Sequence, residues 1–243
     1  MATRPIFSPS PDTHLVQEKS FDFPWAPGFS ATQKKKNIQA LHTAARQNGI
    51  QNILEISSKS LEKLGRKLSA FSLKIAIDGQ TFPLESVYQG AKVFANIPSP
   101  TSNIAEPPPS SPGPSPAEEP PENTGPFPEI FHLSPTEAKR FIRAKTSDGA
   151  NKLIRFELSG KPYPLSPKNA FYDWLYIRAL KDHADWIRRN VHYEAFTDIE
   201  FNPAKQVNCQ ARAFAEYLTL LRQNKLTEAA NDFTTFAKMI NSA

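Results

Sequence analysis

The sequence predicts an α+β fold: a single domain, mainly helical with a small sheet, interrupted by a Pro-rich disordered insertion. Three observations lead to this prediction. Segments with helical periodicity and segments that alternate like strands follow one another irregularly, giving about six helices and four strands. Twelve of the 23 prolines lie between Pro98 and Pro128. The part before this segment holds too few elements for a stable core, so we favour one interrupted domain over two.

Residues 1–20 are polar and interrupted by proline, so we expect a disordered N-terminal tail. The domain then covers residues 21–243. Its first helix begins at Ser30, which has capping-box spacing with Gln33, and ends near Gly49. The further elements expected before the insertion are a strand over 52–57, a loop or short helix over 60–71, a strand over 72–77 with a tight turn at Asp78-Gly79, and a short helix over 84–94.

The insertion covers about residues 97–128, and its Pro, Ser and Glu content predicts an extended, solvated segment. Order returns at Ser134, Pro135 and Glu137, which match the N-cap, N1 and N3 positions of a helix. The elements expected after that helix are a strand over 152–158, a long helix from Ser166-Pro167 through Arg189, a short strand or loop over 196–201, a helix over 208–226, and a last helix from Thr227 to near Ile240.

The composition excludes several classes of protein. A single cysteine rules out an intramolecular disulfide framework and a cysteine-rich zinc site. No apolar segment reaches the roughly 18 residues of a membrane helix, and no apolar leader begins the chain, so we expect a cytoplasmic protein. The five histidines have no metal-ligand spacing, and no phosphate loop, dinucleotide fingerprint or hydrolase elbow occurs. We therefore expect no metal site.

The positive charge of the chain is unevenly distributed. Its total is +5, yet residues 95–128 contain no Lys or Arg and four Glu. Removing those four negative charges leaves +9 on the rest of the chain. Such a surface suits a phosphate-bearing partner, and an ordinary basic surface is the alternative.

The first segment that could carry chemistry is the helix expected from residue 84. Glu85, Gln89 and Lys92 stand at positions i, i+4 and i+7 of that helix, with Tyr88 beside them. A carboxylate, an amide and an ammonium group on one side of a helix can line a polar pocket. The alternative is a solvated helix face with a weak ion pair.

Two further segments could contribute to a site. Residues 169–179 include four aromatic side chains within six positions, too many for one face of a helix, so Trp174 or a neighbour could reach a cleft. A helix buried on two sides is the alternative. Asp198 and Glu200 precede a helix expected to begin at Asn208, and a helix N-terminus can bind phosphate. Here the alternative is a capped loop.

Several longer strings point to a known family. GFSATQKKKNI, LGRKLSAF, PLSPKNAFYDWLY and NCQARA occur in this order, and FPLESVYQGAKVF lies between the second and the third. Together they resemble the NADAR superfamily, the fold of the YbiA-like N-glycosidases, and within it a subgroup of antitoxins associated with DarT-type toxins. The chain departs from the superfamily pattern at Ser86, where His is usual, and at Ala70, where Asn is usual.

The resemblance implies a function: removal of ADP-ribose from guanine bases in DNA by N-glycosidic cleavage, as antitoxin to a DarT-type ADP-ribosyltransferase. ADP-ribosylated DNA is the implied partner, with the toxin as a further candidate. No cofactor is implied, because ADP-ribose is part of the substrate. The residues implied are Glu85 as the first catalytic carboxylate, Asp198 as the second, Lys92 or Lys36 as an amine that forms a Schiff base, Trp174 as a stacking residue, Tyr88 and Gln89 as pocket residues, and Arg66, Lys67 and Asn208 as contacts to the pyrophosphate.

Two other functions fit the sequence. One is an N-glycosidase that acts on a small phosphorylated ribosyl metabolite, and the other is a non-catalytic ADP-ribose-binding module. Salt-dependent binding to DNA would favour the DNA substrate over the metabolite. The substitution Glu85→Gln would separate an enzyme from a binding module, because only the enzyme would lose its effect.

Overall fold

The computed structural model describes residues 1–12, 14–96, 123–147 and 151–241. Within these residues it contains ten strands, nine α-helices and two short 3₁₀ helices. The strands are β1 Ala2–Pro9, β2 Val16–Phe23, β3 Ile53–Glu55, β4 Lys74–Ile77, β5 Gln80–Pro83, β6 Lys92–Asn96, β7 Asn123–Thr124, β8 Asn151–Leu158, β9 Lys161–Tyr163 and β10 Ala195–Thr197. The helices are α1 Ala31–Gln47, α2 Lys63–Lys67, α3 Leu84–Gly90, α4 Pro135–Lys145, α5 Ala170–Leu180, α6 Ala184–Asn190, α7 Gln210–Arg222, α8 Leu226–Asn231 and α9 Phe233–Asn241, and the 3₁₀ helices are Pro128–Ile130 and Lys181–His183.

The strands form three separate sheets, so the prediction of a mixed fold is confirmed, with more sheet than expected. One sheet has the order β2-β1-β10-β3, in which β10 and β3 are parallel. A second is the β4-β5 hairpin, whose turn is the predicted Asp78-Gly79. The third has the order β7-β6-β8-β9 and is antiparallel throughout.

The expectation of a disordered tail over residues 1–20 is wrong. Residues of this segment form β1 and most of β2, which pair from Ala2 with Phe23 to Pro9 with Val16. Ile6 and Phe7 are almost fully buried, and their burial offsets the entropy of ordering a segment that looks polar overall. Pro5 lacks a backbone N–H and is tolerated here because β1 pairs with β10 only at Phe7 and Phe196. The edge of β1 that faces β10 is therefore unpaired at Pro5.

The helices that have clear caps begin where the sequence predicts. Ser30 and Ser134 are N-caps, each with a complete capping box. Four expected helices differ from their predicted bounds, and the one expected over 208–226 spans only Gln210–Arg222. The helix expected over 84–94 ends at Gly90, the long helix from Ser166 is divided into α5, a 3₁₀ turn and α6, and the last helix is divided into α8 and α9.

Most of the predicted insertion, residues 97–122, lies outside the described residues. The described residues at its two ends are neighbours, because Phe94 of β6 pairs with Thr124 of β7. The chain therefore leaves and re-enters the fold at one sheet, as expected for an insertion within a domain.

Helix α5 lies at the centre of the main core. Ten of its 11 residues are buried. Asp173 of α5 accepts a hydrogen bond from Arg212 of α7 at 3.0 Å, and Arg212 also faces Glu216 at 3.6 Å. This buried ion pair fixes α5 against α7. Among the described helices, none has the length and apolar character needed to cross a membrane.

Candidate active site

A connected set of polar side chains begins on α3. Gln89 Nε2 donates a hydrogen bond to Glu85 Oε1 at 2.8 Å, and the two residues lie four positions apart on the helix. Lys92 lies just beyond the helix, at the first position of β6, and its Nζ donates to Gln89 Oε1 at 2.7 Å. Glu85 and Gln89 are only 4% and 6% exposed. The amide of Gln89 thus connects a buried carboxylate to an amine.

Lys139 completes this set from the other side of the insertion. Its Nζ lies 3.1 Å from Glu85 Oε1 and 4.4 Å from the centre of the Phe71 ring. The side chain of Lys139 is 41% exposed, whereas that of Glu85 is 5% exposed, so the ion pair lies where the buried cluster meets solvent. Lys139 could not be identified from the sequence, because spacing within α4 says nothing about its distance from α3.

The pKa of Lys92 is lowered to about 8, mainly by burial. The negative charge of Glu85 opposes this shift, and the positive charge of Lys139 adds to it. The ammonium group of Lys92 also lies 4.9 Å from the centre of the Tyr88 ring. A lysine with such a pKa is present in both protonation states near neutral pH, so it can donate a proton or act as a nucleophile.

Asn208 reaches the same cluster from the segment before α7. Its Nδ2 donates to the hydroxyl of Tyr88 at 2.6 Å, and its Oδ1 is buried without a hydrogen-bond partner among the described residues. The expected helix start at Asn208 is wrong, since α7 begins at Gln210 with Cys209 as its N-cap. Asn208 therefore offers an amide oxygen to the site rather than a helix N-terminus.

Asp198 lies just after β10, in a buried position. Its carboxylate accepts hydrogen bonds from the side chain and backbone of Gln210 and from the backbone N–H of Glu200. Burial is the main cause that raises the pKa of Asp198 to about 7. Gln210 Oε1 also accepts a hydrogen bond from the backbone N–H of Ala70 at 2.8 Å. The LGRKLSAF and NCQARA strings thus meet at Asp198.

A second buried carboxylate, Glu55, supports the position of Asp198. Because β3 and β10 are parallel and Glu55 pairs with Thr197, both strands end at the same edge. Glu55 accepts hydrogen bonds from Thr197 Oγ1 at 2.6 Å and from the backbone N–H of Ile199 at 2.9 Å, the two neighbours of Asp198. Ser57 Oγ donates a third, at 2.6 Å. Sequence reasoning missed Glu55, which lies inside the apolar strand expected over 52–57.

Tyr172 of α5 packs beside Tyr88 of the candidate site. It is buried, and its ring lies 5.1 Å from the Tyr88 ring in an edge-on arrangement. Burial raises the pKa of the Tyr172 hydroxyl well above its usual value, and the charges of Glu85 and Asp198 raise it further. The hydroxyl therefore stays protonated and lies within the electrostatic reach of both carboxylates. That Glu85 and Asp198 act in one site stays a prediction.

Four of the residues implied by the resemblance have other surroundings. Trp174 is 4% exposed and packs against Tyr163 and Phe233. Arg66 Nη1 donates to the backbone oxygens of Ser60 and Leu61, at 2.6 and 3.0 Å. Lys36 and Lys67 are exposed, on α1 and α2. Their roles in substrate binding or catalysis stay predictions, and none of their described contacts reaches Glu85.

Comparison with known proteins identifies the family of the chain. A family model described as the DarT1-associated NADAR antitoxin matches residues 2–107 and 121–243. No curated protein gives a match. The match supports an antitoxin role and, at the level of the NADAR superfamily, a hydrolase similar to N-glycosidases. Because the matched residues make up most of the sequence, the chain belongs to the family of DarT1-associated NADAR antitoxins.

Proposed function

We propose that this protein removes ADP-ribose from guanine bases in DNA by hydrolysing the N-glycosidic bond, and that it thereby counteracts a DarT-type ADP-ribosyltransferase. The observation that carries the proposal is the connected set Glu85, Gln89, Lys92 and Lys139. It holds a carboxylate and a partly deprotonated amine in one buried cluster that opens to solvent at Lys139. Both kinds of group can act in the cleavage of a ribosyl–nitrogen bond.

The carboxylate of Glu85 suits the first demand of this chemistry. As the bond between C1″ of the ribose and the guanine nitrogen breaks, positive charge develops on C1″ and the ring oxygen. A fixed carboxylate stabilises that charge most strongly where water is excluded, and Glu85 is 4% exposed. Gln89 and Lys139 hold its Oε1 from two directions, so little reorganisation is needed during the reaction.

Lys92 suits the second demand, in either of two routes. In the direct route, water forms the new bond to C1″, and the ammonium group of Lys92 gives a proton to the departing guanine nitrogen. In the imine route, the neutral amine of Lys92 adds to C1″ of the ring-opened adduct, and guanine leaves with a proton. Water then hydrolyses the imine, which releases ADP-ribose and restores the amine. The lowered pKa of Lys92 favours the imine route, because it increases the neutral amine.

Asp198 and Asn208 suit the binding of the ribose. Asn208 Oδ1 has no partner among the described side chains and backbone groups, so it can accept a hydrogen bond from a substrate hydroxyl. Asp198, with a pKa of about 7, can accept or donate one. A modified guanine in duplex DNA must leave the base stack to reach this cluster, so single-stranded DNA is the preferred substrate.

The test is release of free ADP-ribose from a guanine-modified single strand by the wild type, by Glu85→Gln and by Glu18→Gln. Gln has the shape of Glu but no charge, so Glu85→Gln should lose activity by about a hundredfold or more. Glu18 is exposed on β2 and is the matched control, which should keep the wild-type rate. Tight ADP-ribose binding without release by the wild type would instead make the protein a binding module.

A further inference from the structure

A groove of about 960 Å³ lies on another part of the molecule. It is bounded by the β4-β5 hairpin, the segment around β9, the end of α5 and the helices α8 and α9. Glu85, Lys92 and Asp198 do not line it, so it is separate from the candidate active site. Its volume is in the range typical of sites that bind ligands.

Arg178 is the most distinctive residue of this groove. Its guanidinium lies 4.6 Å from the centre of the Trp174 ring, a cation–π contact that restrains its position. Arg178 is half-buried, yet in the described part of the chain it donates no hydrogen bond to a protein acceptor. Burial lowers the pKa of Arg178, but an arginine stays charged at physiological pH. A half-buried, oriented guanidinium without an acceptor is suited to an anionic ligand.

The charges around Arg178 also favour an anionic ligand. Lys74, Lys161, Lys181 and Lys238 also line the groove, against three aspartates. With Arg178, the five cations exceed the three aspartates by two, although the negative charge of Asp78 acts on Arg178. The groove therefore has an excess of positive charge that is distributed over several elements.

We propose that this groove binds the phosphodiester backbone of the DNA strand that carries the substrate base, with Arg178 as its anchor. The inference rests on the proposed function, because it concerns how the same substrate is held. The cations lie on three separate elements, β4, β9 and α5, which suits phosphates spaced along a DNA strand. The two adjacent phosphates of ADP-ribose would need the cations to be close together. Arginine binds a phosphate through two parallel N–H groups, which fixes the strand.

The test is binding of the full-length protein to an unmodified, fluorescein-labelled single strand of about 12 nucleotides, measured by anisotropy. The affinity is followed over roughly 50 to 200 mM salt. Arg178→Gln should weaken binding about threefold or more. The slope of log K against the logarithm of the salt concentration should become shallower by about 0.7, which corresponds to the loss of one phosphate contact. Lys161→Gln, at an exposed position, should act in the same direction. Arg222→Gln, exposed at the end of α7 and outside the groove, is the control and should bind as the wild type.

Unchanged affinity and salt dependence in both Arg178→Gln and Lys161→Gln would overturn the proposal. Weaker binding of free ADP-ribose to Arg178→Gln, with unchanged binding of the DNA strand, would also overturn it, because the groove would then hold the pyrophosphate. Thermal melting shows whether each variant is folded. The proposed function is tested separately by the release assay. If it fails, the wild type releases no ADP-ribose, whatever the binding measurements show.

Discussion

Nζ of Lys139 lies 3.1 Å from Oε1 of Glu85, and this contact joins the two parts of the chain that flank the Pro-rich segment. Glu85 is on α3 and Lys139 is on α4, and the two helices pack against each other. The carboxylate therefore receives its cationic neighbour from beyond the insertion. A candidate active site completed in this way requires both parts of the chain to fold together.

Lys139→Gln tests whether this contact supports catalysis. The substitution removes the cation beside Glu85 and leaves Gln89 as its remaining described hydrogen-bond donor. We expect the rate of ADP-ribose release to fall by about a hundredfold, the size of effect seen when a catalytic group loses its exact orientation. Single-turnover kinetics provide the measurement. Arg143→Gln, exposed on the same helix, is the control, and an equal loss of rate in both variants would show a general effect of α4.

Local signals in the sequence were sufficient for some elements and for one part of the site. The capping boxes at Ser30 and Ser134 fix two helix starts, because all interacting groups lie within four residues. The contact of Glu85 with Gln89 follows from helical spacing in the same way. The contact with Lys139 could not be predicted, since it depends on how α3 and α4 pack.

Glu55→Gln tests the role of the buried carboxylate that supports Asp198. Burial raises the pKa of Glu55 to about 8, and the charge of Asp198 raises it as well. A carboxyl group whose pKa is raised by folding stabilises the folded protein fully when the pH is below its pKa in the unfolded chain. This stabilisation is lost as the pH rises through its pKa in the folded protein. The free energy of unfolding of the wild type should therefore fall between pH 6.5 and 8. Glu55→Gln should make that fall shallower, by up to about 1.4 kcal/mol per pH unit.

Asp198, with a pKa of about 7, also titrates in this pH window, in the wild type and in Glu55→Gln, but the window avoids another buried group. His42, which faces Thr197 Oγ1 at 2.9 Å, has its pKa lowered to about 4 by burial. It destabilises the fold only as pH falls below the ordinary histidine value of about 6.5. Urea unfolding at several pH values gives the measurement, with Glu18→Gln as control. Parallel pH profiles in wild type and Glu55→Gln would contradict a raised pKa at Glu55.

The aromatic residues of α5 show why a pattern alone does not place a side chain. Four aromatic residues in six positions left open whether the helix is buried on two sides or reaches a cleft. In the structure α5 is buried on nearly all sides. Tyr172 packs edge-on against Tyr88, while Trp174 packs against Tyr163 and Phe233. Which face of a central helix meets the site depends on its neighbours, and these come from distant parts of the chain.

Gly65→Ala tests the packing of the LGRKLSAF string. A Cβ at Gly65 would lie 1.9 Å from the backbone oxygen of Glu55 and 2.4 Å from Ser60 Oγ. The backbone of β3 cannot move aside cheaply, so we expect a loss of about 2 kcal/mol or more. This corresponds to a melting temperature about 5 °C lower or more. Lys67→Ala, at an exposed position of the same short helix, should melt near the wild type. Equal melting of the two variants would show that α2 is free to shift away from β3.

The last prediction concerns Lys92 and separates the two chemical routes. With a pKa of about 8, the neutral amine increases as pH rises toward that value, so the imine route predicts a rate that rises with pH and levels off above about 8. The direct route predicts the opposite, because it uses the ammonium form. Borohydride during turnover should trap ADP-ribose on the wild-type chain, as seen by mass spectrometry, and Lys92→Met should give no adduct. The exposed Lys36 is the other candidate amine, and an adduct that persists in Lys92→Met but disappears in Lys36→Met would transfer the role to Lys36.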